Sequence, residues 1–386
     1  MKRNDVQIDY ILVITLLFLF IYSLFAVYSG SGQYETQDPY YFVKRQVIWY
    51  IIGIAVMVGV ASFDFELLER WAVPLYALGI GLLLLVHFFG TFKNGSIRWI
   101  SFGPIELQPS EFMKVFLILY LAVILKRFAN RKLSFKESIP TTLKVLSLTI
   151  VPFYLILVQP DLGSALVIAA IAFSLILASG ISHQLLMILI LCFMALIGFL
   201  VYLHNSFYDI FIKIIKPHQL DRIYGWLSPD EYASSYGYQL KQALLGIGSG
   251  QMYGSGFNQG SQVQSGRIPE AHTDFIFSVI GEEFGFIGAV ILISLYFILL
   301  YRVTIIAFSS NNVFGYFICG GVVGLISFQV FQNIAMTIGL MPVTGLALPL
   351  LSYGGSALIT NMIALGLVFS VNLRSKKYMF SRSENL

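Results

Sequence analysis

The sequence predicts an all-α protein that crosses a membrane many times. Apolar residues make up 57% of the 386 residues, against roughly 45–50% in a typical soluble domain. Charged residues make up 11%, where a soluble domain has about 25%. So few charges cannot cover a surface that faces water, which excludes a soluble enzyme, a disordered protein and a basic nucleic-acid-binding domain. Because backbone groups cannot stay unpaired in lipid, the apolar stretches are expected to be helices.

Ten apolar stretches approach the length of about 20 residues that a helix needs to cross a bilayer. They are predicted as transmembrane helices at 10–29, 46–63, 71–89, 110–126, 142–158, 163–180, 183–203, 279–301, 313–334 and 355–372. The whole chain, 1–386, is interpreted as one transmembrane domain.

The distribution of Lys and Arg predicts that both termini are cytoplasmic. With the N-terminus inside, the inner segments hold 13 of these residues, and the short outer loops hold 4, namely Lys44, Arg45, Lys93 and Arg98. Cytoplasmic loops carry the excess of positive charge in membrane proteins, so this orientation is favoured over the inverted one.

One connection, residues 204–278, is much longer than the others and is predicted to be a large extracellular loop between spans seven and eight. It opens with FYDIFIKIIKP, whose charged residues share one helical face, as in a helix that lies in the membrane interface. Its later part is polar and Gly-rich. Long loops of this kind are often functional.

Four clusters contain ionisable or helix-breaking residues where a lipid-facing helix would not carry them. In the first, Glu111 and Lys114 lie three residues apart on one helical face, and Arg98 and Trp99 lie just before that span. The pair forms either an ion pair that makes buried charge tolerable or the lining of a polar cavity. Trp99 taken alone fits an interfacial anchor.

The second and third clusters contain isolated acids at predicted helix starts. Asp161, in the sequence QPDLGSA, is either the N-cap of span six or part of a polar corner. Asp274 follows His272 near the end of the long loop and is either an N-cap or a general base. No second His or Cys lies at ligand spacing, so a metal site at His272 is not indicated.

The fourth cluster, 333–357, is apolar but interrupted by Pro and Gly residues. Irregular backbone at membrane depth is tolerated only where protein buries it or it lines a cavity, so a re-entrant loop is expected between spans nine and ten. In the predicted topology all four clusters lie in the outer half of the membrane. They would form a carboxylate-containing groove that suits an amphiphilic substrate.

These clusters carry a resemblance to a known family. An Asn at 333 is followed by G-L-x-P-x-T-G at 339–345 and by L-P-x-x-S-Y-G-G-S at 348–356, which resembles the signature of the RodA/FtsW/SpoVE (SEDS) proteins. Four further blocks resemble that family in the same order: RWI at 98–100, QPSEFMK at 108–114, PDLGSA at 160–165 and PEAHTDFIF at 269–277. The resemblance covers nearly the whole chain.

The resemblance implies a peptidoglycan glycosyltransferase that polymerises lipid II at the outer face of the bacterial plasma membrane. It implies a class B penicillin-binding protein as partner, together with elongation-complex membrane proteins. By the family motif, Asp274 is the catalytic carboxylate and Trp99 is tied to activity. Glu111, Lys114 and Asp161 match polar positions of the helical core. The short tails, meaning the residues before span one and after span ten, and the sequence GFNQGSQVQ resemble those of elongation (RodA-type) members.

The expected chemistry needs one base and a stabilised leaving group. Asp274 would take the proton of an acceptor hydroxyl, and undecaprenyl diphosphate would leave with inversion at the donor sugar. Candidate cations for the diphosphate are Arg45, Arg98, Arg222 and Lys241. A Mg²⁺ or Mn²⁺ ion held by Asp274 and the diphosphate is a further expectation, which no ligand cluster signals.

Three alternatives stay open at the level of sequence. The protein could be a lipid II flippase, a non-catalytic scaffold of the wall-synthesis complex, or a division (FtsW-like) or sporulation (SpoVE-like) member of the same family. A flippase needs access from both membrane faces, whereas the ionisable clusters are all predicted on the outer side.

Overall fold

The computed structural model describes residues 9–34, 38–93, 96–102, 105–128, 133–214, 217–232 and 236–379. Helices dominate these residues, which confirms the predicted all-α membrane class. The helices are α1 Tyr10–Gly30, α2 Tyr41–Ser62, α3 Leu68–Phe89, α4 Pro109–Lys126, α5 Phe135–Val158, α6 Leu162–Ala178, α7 His183–Ser206, α8 Tyr208–Ile214, α9 Pro217–Leu227, α10 Tyr236–Gly250, α11 Ser261–Gln264, α12 Ile276–Glu283, α13 Gly285–Ser309, α14 Val313–Thr337 and α15 Gly355–Met379.

Eight helices of the described chain are long and apolar enough to cross a membrane: α1, α2, α3, α5, α7, α13, α14 and α15. The chain is therefore a multi-pass membrane protein. The other two predicted spans are also helical. α6 is apolar but has only 17 residues, and α4 has 18 residues with charges at Glu111, Lys114 and Lys126.

Helices α14 and α15 form the centre of the bundle, and most of their residues are buried. α14 packs against α4, α6 and α13, while α15 packs along α2. α7 lies at the periphery and has little contact with the other helices, so most of its apolar side chains are exposed. A lipid environment suits such a helix, because lipid tails are as apolar as its side chains.

A small antiparallel sheet precedes α4 and was not predicted. Its strands are β1 Thr91–Lys93, β2 Ser96–Phe102 and β3 Ile105–Leu107, in the order β1-β2-β3. Trp99 pairs with Thr91, and Ile100 pairs with Leu107. The sheet therefore holds Arg98 and Trp99 on a rigid strand beside the N-terminus of α4.

Predicted span eight is divided into two helices. Instead of one helix at 279–301, α12 ends at Glu283 and α13 begins at Gly285. Gly285 has a φ of +64°, which most residues avoid, and a Cβ there would lie 2.3 Å from the backbone N of Gly254. The close approach of the 252–254 loop forces the break. The sequence does not reveal this break, because the apolar residues continue on both sides of it.

The long segment 204–278 is also largely helical. α8 starts where the interfacial helix was predicted, but residues 215 and 216 lie outside the described part. α10 packs against α12. α10 also contacts two other helices of the segment, α9 and α11, and α11 contacts α1.

Two adjacent carboxylates fix the Gly-rich loop of this segment. Glu283 accepts hydrogen bonds from the Asn258 backbone N–H at 2.9 Å and from the Ser29 hydroxyl at 2.5 Å. Glu282 accepts from the backbone N–H groups of Gln262, at 2.7 Å, and Val263, at 3.0 Å. Both carboxylates are buried. They give a loop with little side-chain packing a defined position against α1 and α12.

Between α14 and α15 lies the α14–α15 segment, residues 338–354, which has no regular structure and whose residues, apart from Ile338 and Leu340, are buried or partly buried. Side chains of the surrounding helices donate to its carbonyl groups. Tyr296 donates to Pro349, Tyr50 to Leu350, Ser23 to Leu351, Gln46 to Ser352, and Asn333 to Leu346. These polar residues occur within apolar helices because buried backbone carbonyls need partners.

We predict that Glu283→Ala lowers the melting temperature of the detergent-purified protein. The substitution leaves buried N–H groups of the Gly-rich loop without an acceptor, which costs on the order of 3 kcal/mol. Glu231→Ala at an exposed position is the matched control. Equal melting temperatures for the two variants would contradict this account of the loop.

Candidate functional site

Asp274 lies in a tight turn, residues 270–275, called the Asp274 turn. The carbonyl of Glu270 accepts from the backbone N–H of Thr273, at 3.1 Å, and of Phe275, at 3.2 Å. Glu270 has a φ of +55°, an unfavourable conformation for this residue type. The turn thus orients Asp274 by local hydrogen bonds at the cost of backbone strain.

Three successive carbonyl groups of the Asp274 turn accept hydrogen bonds, two from the α14–α15 segment and one from α14. The carbonyl of His272 accepts from the Tyr353 N–H at 3.0 Å, and that of Thr273 accepts from the Ser352 hydroxyl at 2.6 Å. The carbonyl of Asp274 accepts from Asn333 Nδ2 at 2.7 Å. The backbone of Asp274 is therefore fixed, while its carboxyl group makes none of these bonds.

The interpretation of Asp274 as a helix N-cap is wrong. The N-cap of α12 is Phe275, and no side chain caps that helix. The carboxyl group of Asp274 instead faces the α14–α15 segment. A Cβ on Gly345, whose φ is +73°, would lie 3.2 Å from Asp274 Oδ2. Glycine at 345 leaves room for the carboxyl group and allows the turn.

Four charged side chains act on the Asp274 carboxyl group. The pKa of Asp274 is raised to about 6: burial and then Glu270 raise this pKa most, Arg98 and Arg222 lower it, and Asp161 raises it. At neutral pH the carboxyl group is mostly ionised, yet it is more basic than an ordinary Asp, whose pKa is about 3.9. A carboxylate with these properties can act as a general base.

Arg98 and Asp161 form an ion pair beside this carboxyl group. Arg98 Nη1 lies 3.6 Å from Asp161 Oδ1, and Gln108 Nε2 donates to Asp161 Oδ2 at 3.0 Å. Asp161 also caps α6, since it accepts from the Ser164 N–H at 3.1 Å. The N-cap interpretation of Asp161 is thus confirmed, and the same carboxylate is part of the charged cluster.

Arg222 reaches the cluster from α9. Its Nη1 lies 3.5 Å from the carbonyl oxygens of Val343 and Thr344, next to Gly345. Trp226, one turn later on α9, donates its indole N–H to the Gly339 carbonyl at 2.8 Å. α9 therefore packs along the α14–α15 segment and holds a guanidinium group near Asp274.

His272 lies two residues from Asp274 but packs among aromatic rings. Its ring centroid is 4.7 Å from that of Phe42, 4.9 Å from Tyr34 and 5.5 Å from Tyr353. Burial lowers the pKa of His272 to about 4, although Glu270 opposes this shift. A neutral imidazole packed in this way joins the ends of α1 and α2 to the Asp274 turn.

Three further candidates lie near the cluster but outside it. Trp99 neighbours Arg98 on β2, and because successive strand residues face opposite sides, it projects away from the side that carries Arg98. Glu111 and Lys114 form a buried ion pair on α4, with Lys114 Nζ 2.6 Å from Glu111 Oε1. This agrees with the interpretation that the two charges make each other's burial tolerable.

The remaining two cations are not brought to Asp274. Arg45 is exposed on α2, and its guanidinium carbon lies 4.7 Å from the Tyr41 ring centroid. Lys241 on α10 pairs with Asp230, with 2.7 Å between Lys241 Nζ and Asp230 Oδ1. Both side chains are exposed. The structure thus selects Arg98 and Arg222 from the four predicted cations.

Glu270 and Asn333 both occur in the clusters identified from the sequence, Glu270 beside His272 and Asp274 and Asn333 at the start of the fourth cluster, but neither was predicted to have a role in the site. Glu270 lies four residues before Asp274, and an acid so close to a candidate base is a detectable signal. Asn333 is an amide inside an apolar helix, which itself predicts a specific partner. Neither contact could be assigned, because both depend on where the α14–α15 segment lies.

The described residues contain no cluster of three His, Cys, Asp or Glu side chains arranged to hold a metal ion. The carboxylates nearest Asp274, those of Glu270 and Asp161, share their surroundings with two guanidinium groups. These cations already balance most of the negative charge. A divalent ion at Asp274 would therefore need most of its oxygen ligands from a bound substrate.

Comparison with known proteins places this site in a family context. Peptidoglycan glycosyltransferase MrdB of Escherichia coli K12 is 35% identical over 381 residues, covering 98% of this chain and 97% of the relative. A probable peptidoglycan glycosyltransferase FtsW of Trichlorobacter lovleyi is 34% identical and covers 95% of this chain and 93% of its own. Stage V sporulation protein E of Bacillus subtilis is also 34% identical, over 97% of this chain and 100% of its own.

Solved structures agree with these relatives. One chain, from a peptidoglycan synthase complex that coordinates polymerization and crosslinking, matches with a TM-score of 0.76 and 29% identity over 94% of this chain and 97% of that one. The rod shape determining protein RodA of Thermus thermophilus matches with a TM-score of 0.67 and 29% identity over 97% and 99% of the two chains. The model of the family described as "Cell cycle protein" (FtsW/RodA/SpoVE) matches residues 9–377, and the chain belongs to this family.

Proposed function

We propose that this protein is a peptidoglycan glycosyltransferase that polymerises lipid II, with Asp274 as the general base. The observation that carries the proposal is the Asp274 carboxyl group, fixed through its backbone between two guanidinium groups and with its pKa raised to about 6. The curated relatives named as peptidoglycan glycosyltransferases, which align over nearly the whole chain, support the reaction class.

In the proposed step, Asp274 removes the proton from a sugar hydroxyl of the acceptor. The resulting oxygen nucleophile attacks the anomeric carbon of the donor lipid II, and the bond from that carbon to the diphosphate oxygen breaks. A glycosidic bond forms with inversion, and undecaprenyl diphosphate leaves with the bonding electrons. One carboxylate suffices because the diphosphate, unlike the alcohol expelled in glycoside hydrolysis, needs no protonation.

Arg98 and Arg222 would stabilise the negative charge that develops on the diphosphate. Both arginines act on the Asp274 carboxyl group from different elements, β2 and α9. The pairing of Arg98 with Asp161, at 3.6 Å, orients the guanidinium group before substrate arrives. A Mg²⁺ or Mn²⁺ ion, the cofactor expected from the sequence, would be bound mainly by diphosphate oxygens and by Asp274.

We place the site at the outer face of the bacterial plasma membrane, in a chain that crosses it ten times, with α4 and α6 as the two additional spans. The cluster lies where α4, α6 and α12 begin and α14 ends. The opposite ends of the helices carry basic residues in ion pairs, Arg302 with Asp9 and Lys126 with Glu69. This polarity follows the positive-inside rule. The α14–α15 segment would then be re-entrant from the outer side.

The partner we propose is a class B penicillin-binding protein, which cross-links the new strand. The similarity to a chain of a peptidoglycan synthase complex supports this partner. Relatives from the elongation, division and sporulation branches match at similar identity, so the elongation role rests on the sequence GFNQGSQVQ at residues 256–264. Other elongation-complex membrane proteins are expected partners on the same grounds.

Asp274→Asn should abolish polymerisation, because the amide keeps the shape of the carboxyl group but cannot take a proton. We expect a loss of at least about 10³-fold in the initial rate of lipid II consumption. Asp230→Asn, at an exposed carboxylate of the same segment, should retain the rate of the unmodified protein. A similar rate for both variants would remove Asp274 from the mechanism, and movement of lipid II across vesicles without polymer would favour a flippase.

The rate should rise with pH through about 6, because only the ionised Asp274 can act as a base. Glu270→Gln removes a neighbouring negative charge and lowers the pKa of Asp274. The acid limb, meaning the part of the pH–rate profile in which the rate rises with pH, should therefore move down by roughly half a pH unit. Arg98→Gln removes a positive charge and should move the limb upward. Profiles of kcat/KM against pH, with exposed Glu231→Gln as control, measure both shifts, and shifts of the same sign would contradict the assignment.

Replacing either arginine should weaken catalysis. Arg98→Gln and Arg222→Gln each remove a charged donor from the diphosphate site and should lower kcat/KM by roughly 10²-fold at the pH optimum of each variant. Exposed Arg267→Gln removes the same charge without entering the site. Unchanged kinetics in the first two variants would place the diphosphate elsewhere.

A further inference from the structure

Asn333 bridges the two irregular segments that form the site. Its Nδ2 atom donates to the Asp274 carbonyl at 2.7 Å and to the Leu346 carbonyl at 2.6 Å. The side chain is completely buried on α14. One amide group thus donates one hydrogen to the backbone of the candidate base, Asp274, and the other to the backbone of Leu346, the residue after Gly345.

This bridge fixes the backbone next to Gly345, the glycine that faces the Asp274 carboxyl group. Gly345 faces Asp274 Oδ2, and its neighbour Leu346 is held by Asn333. The preceding residue of α14 acts on the same turn, since Gln332 Nε2 donates to Thr344 Oγ1 at 3.2 Å. The carbonyls of Val343 and Thr344 in turn lie near Arg222. A shift of Leu346 would therefore alter the distance between the carboxyl group, the glycine and the guanidinium.

An ordinary packing residue does not fit this position. An amide buried in an apolar helix is costly unless it is hydrogen-bonded, and a leucine would fill the same space without that cost. The two carbonyls belong to residues 274 and 346, which no secondary structure connects. The amide nitrogen of Asn333, which carries two donor hydrogens, satisfies both carbonyls at this depth.

We propose that Asn333 is a positioning residue of the glycosyltransferase site, which sets the place of the Asp274 carboxyl group against the turn at Gly345 and Arg222 by holding the carbonyls of Asp274 and Leu346 on one amide nitrogen. The inference rests on the proposed role of Asp274 as the base. Asn333 does not touch the reacting atoms and acts only through these two backbone segments.

The test compares Asn333→Asp with Asn361→Asp in the purified protein with lipid II. Asp has the shape of Asn but cannot donate to two carbonyl groups. Asn361 is buried on α15, and no hydrogen bond described for it reaches the Asp274 turn, so it controls for the burial of an acid. Initial rates at several lipid II concentrations and pH values give kcat, KM and the acid limb, and melting temperatures report folding.

For Asn333→Asp we expect kcat to fall by about 10- to 100-fold with KM within about threefold, since positioning rather than binding is lost. The acid limb should move to higher pH, because the introduced acid places a further negative charge beside the Asp274 turn and raises the pKa of Asp274, as Glu270 does. Asn361→Asp should keep the kcat and acid limb of the unmodified protein. A role in folding alone would change the melting temperature but not the kcat of the folded fraction.

Three results overturn the inference. The first is a kcat and acid limb for Asn333→Asp equal to those of the unmodified protein while Asp274→Asn is inactive. The second is equal effects of the Asn333 and Asn361 substitutions. The third is failure of both Asn333→Asp and Asn333→Ala to give folded protein, which would make Asn333 a folding residue. If Asp274→Asn itself stays active, the proposed function fails, and this result is distinct from the other three.

Discussion

The structure depends on one constraint: backbone groups that leave regular structure inside an apolar bundle must find partners within the protein. The α14–α15 segment places a run of carbonyl groups among buried helices. Helices α1, α2, α13 and α14 each supply donors for them, from Ser23, Gln46, Tyr50, Tyr296 and Asn333. The same segment supplies Tyr353 and Ser352 as donors to the Asp274 turn. Satisfying the backbone of one segment thereby builds the support of the candidate site.

This arrangement explains how a carboxylate can be both fixed and reactive. Hydrogen bonds to successive carbonyls hold the Asp274 turn by its backbone, so the side chain needs no bond to stay in place. Burial and Glu270 raise the pKa of Asp274, while the two arginines limit the rise. The balance leaves an anion that is available at neutral pH yet basic enough to accept a proton. The strained φ of Glu270 is consistent with a turn that is maintained for the site rather than for stability.

The sequence predicted most of the fold, because the apolar periodicity of membrane helices is strong and their length is set by the bilayer. It failed where that signal is continuous across a break, as at Gly285, and where a short sheet forms between helices, as at residues 91–107. It identified Asp274, Arg98, Asp161 and Arg222 as candidates, and these do come together. It could not separate them from Arg45 and Lys241, since one-dimensional spacing does not show which loop reaches which segment. Asn333 was part of the recognised motif, but its function depends on two contacts 13 and 59 residues away in the chain.

The central claim is that Asp274, in the site built on the α14–α15 segment, takes the proton during polymerisation of lipid II. The most direct test is to make glycan strands with the purified protein and its proposed partner, a class B penicillin-binding protein, and to read the strand length on a gel. The transpeptidase of the partner is blocked throughout, and the unmodified protein is compared with Asp274→Ala. The account predicts strands from the unmodified protein and none from a variant that still folds and binds the partner. Strands of equal length from both proteins would contradict it.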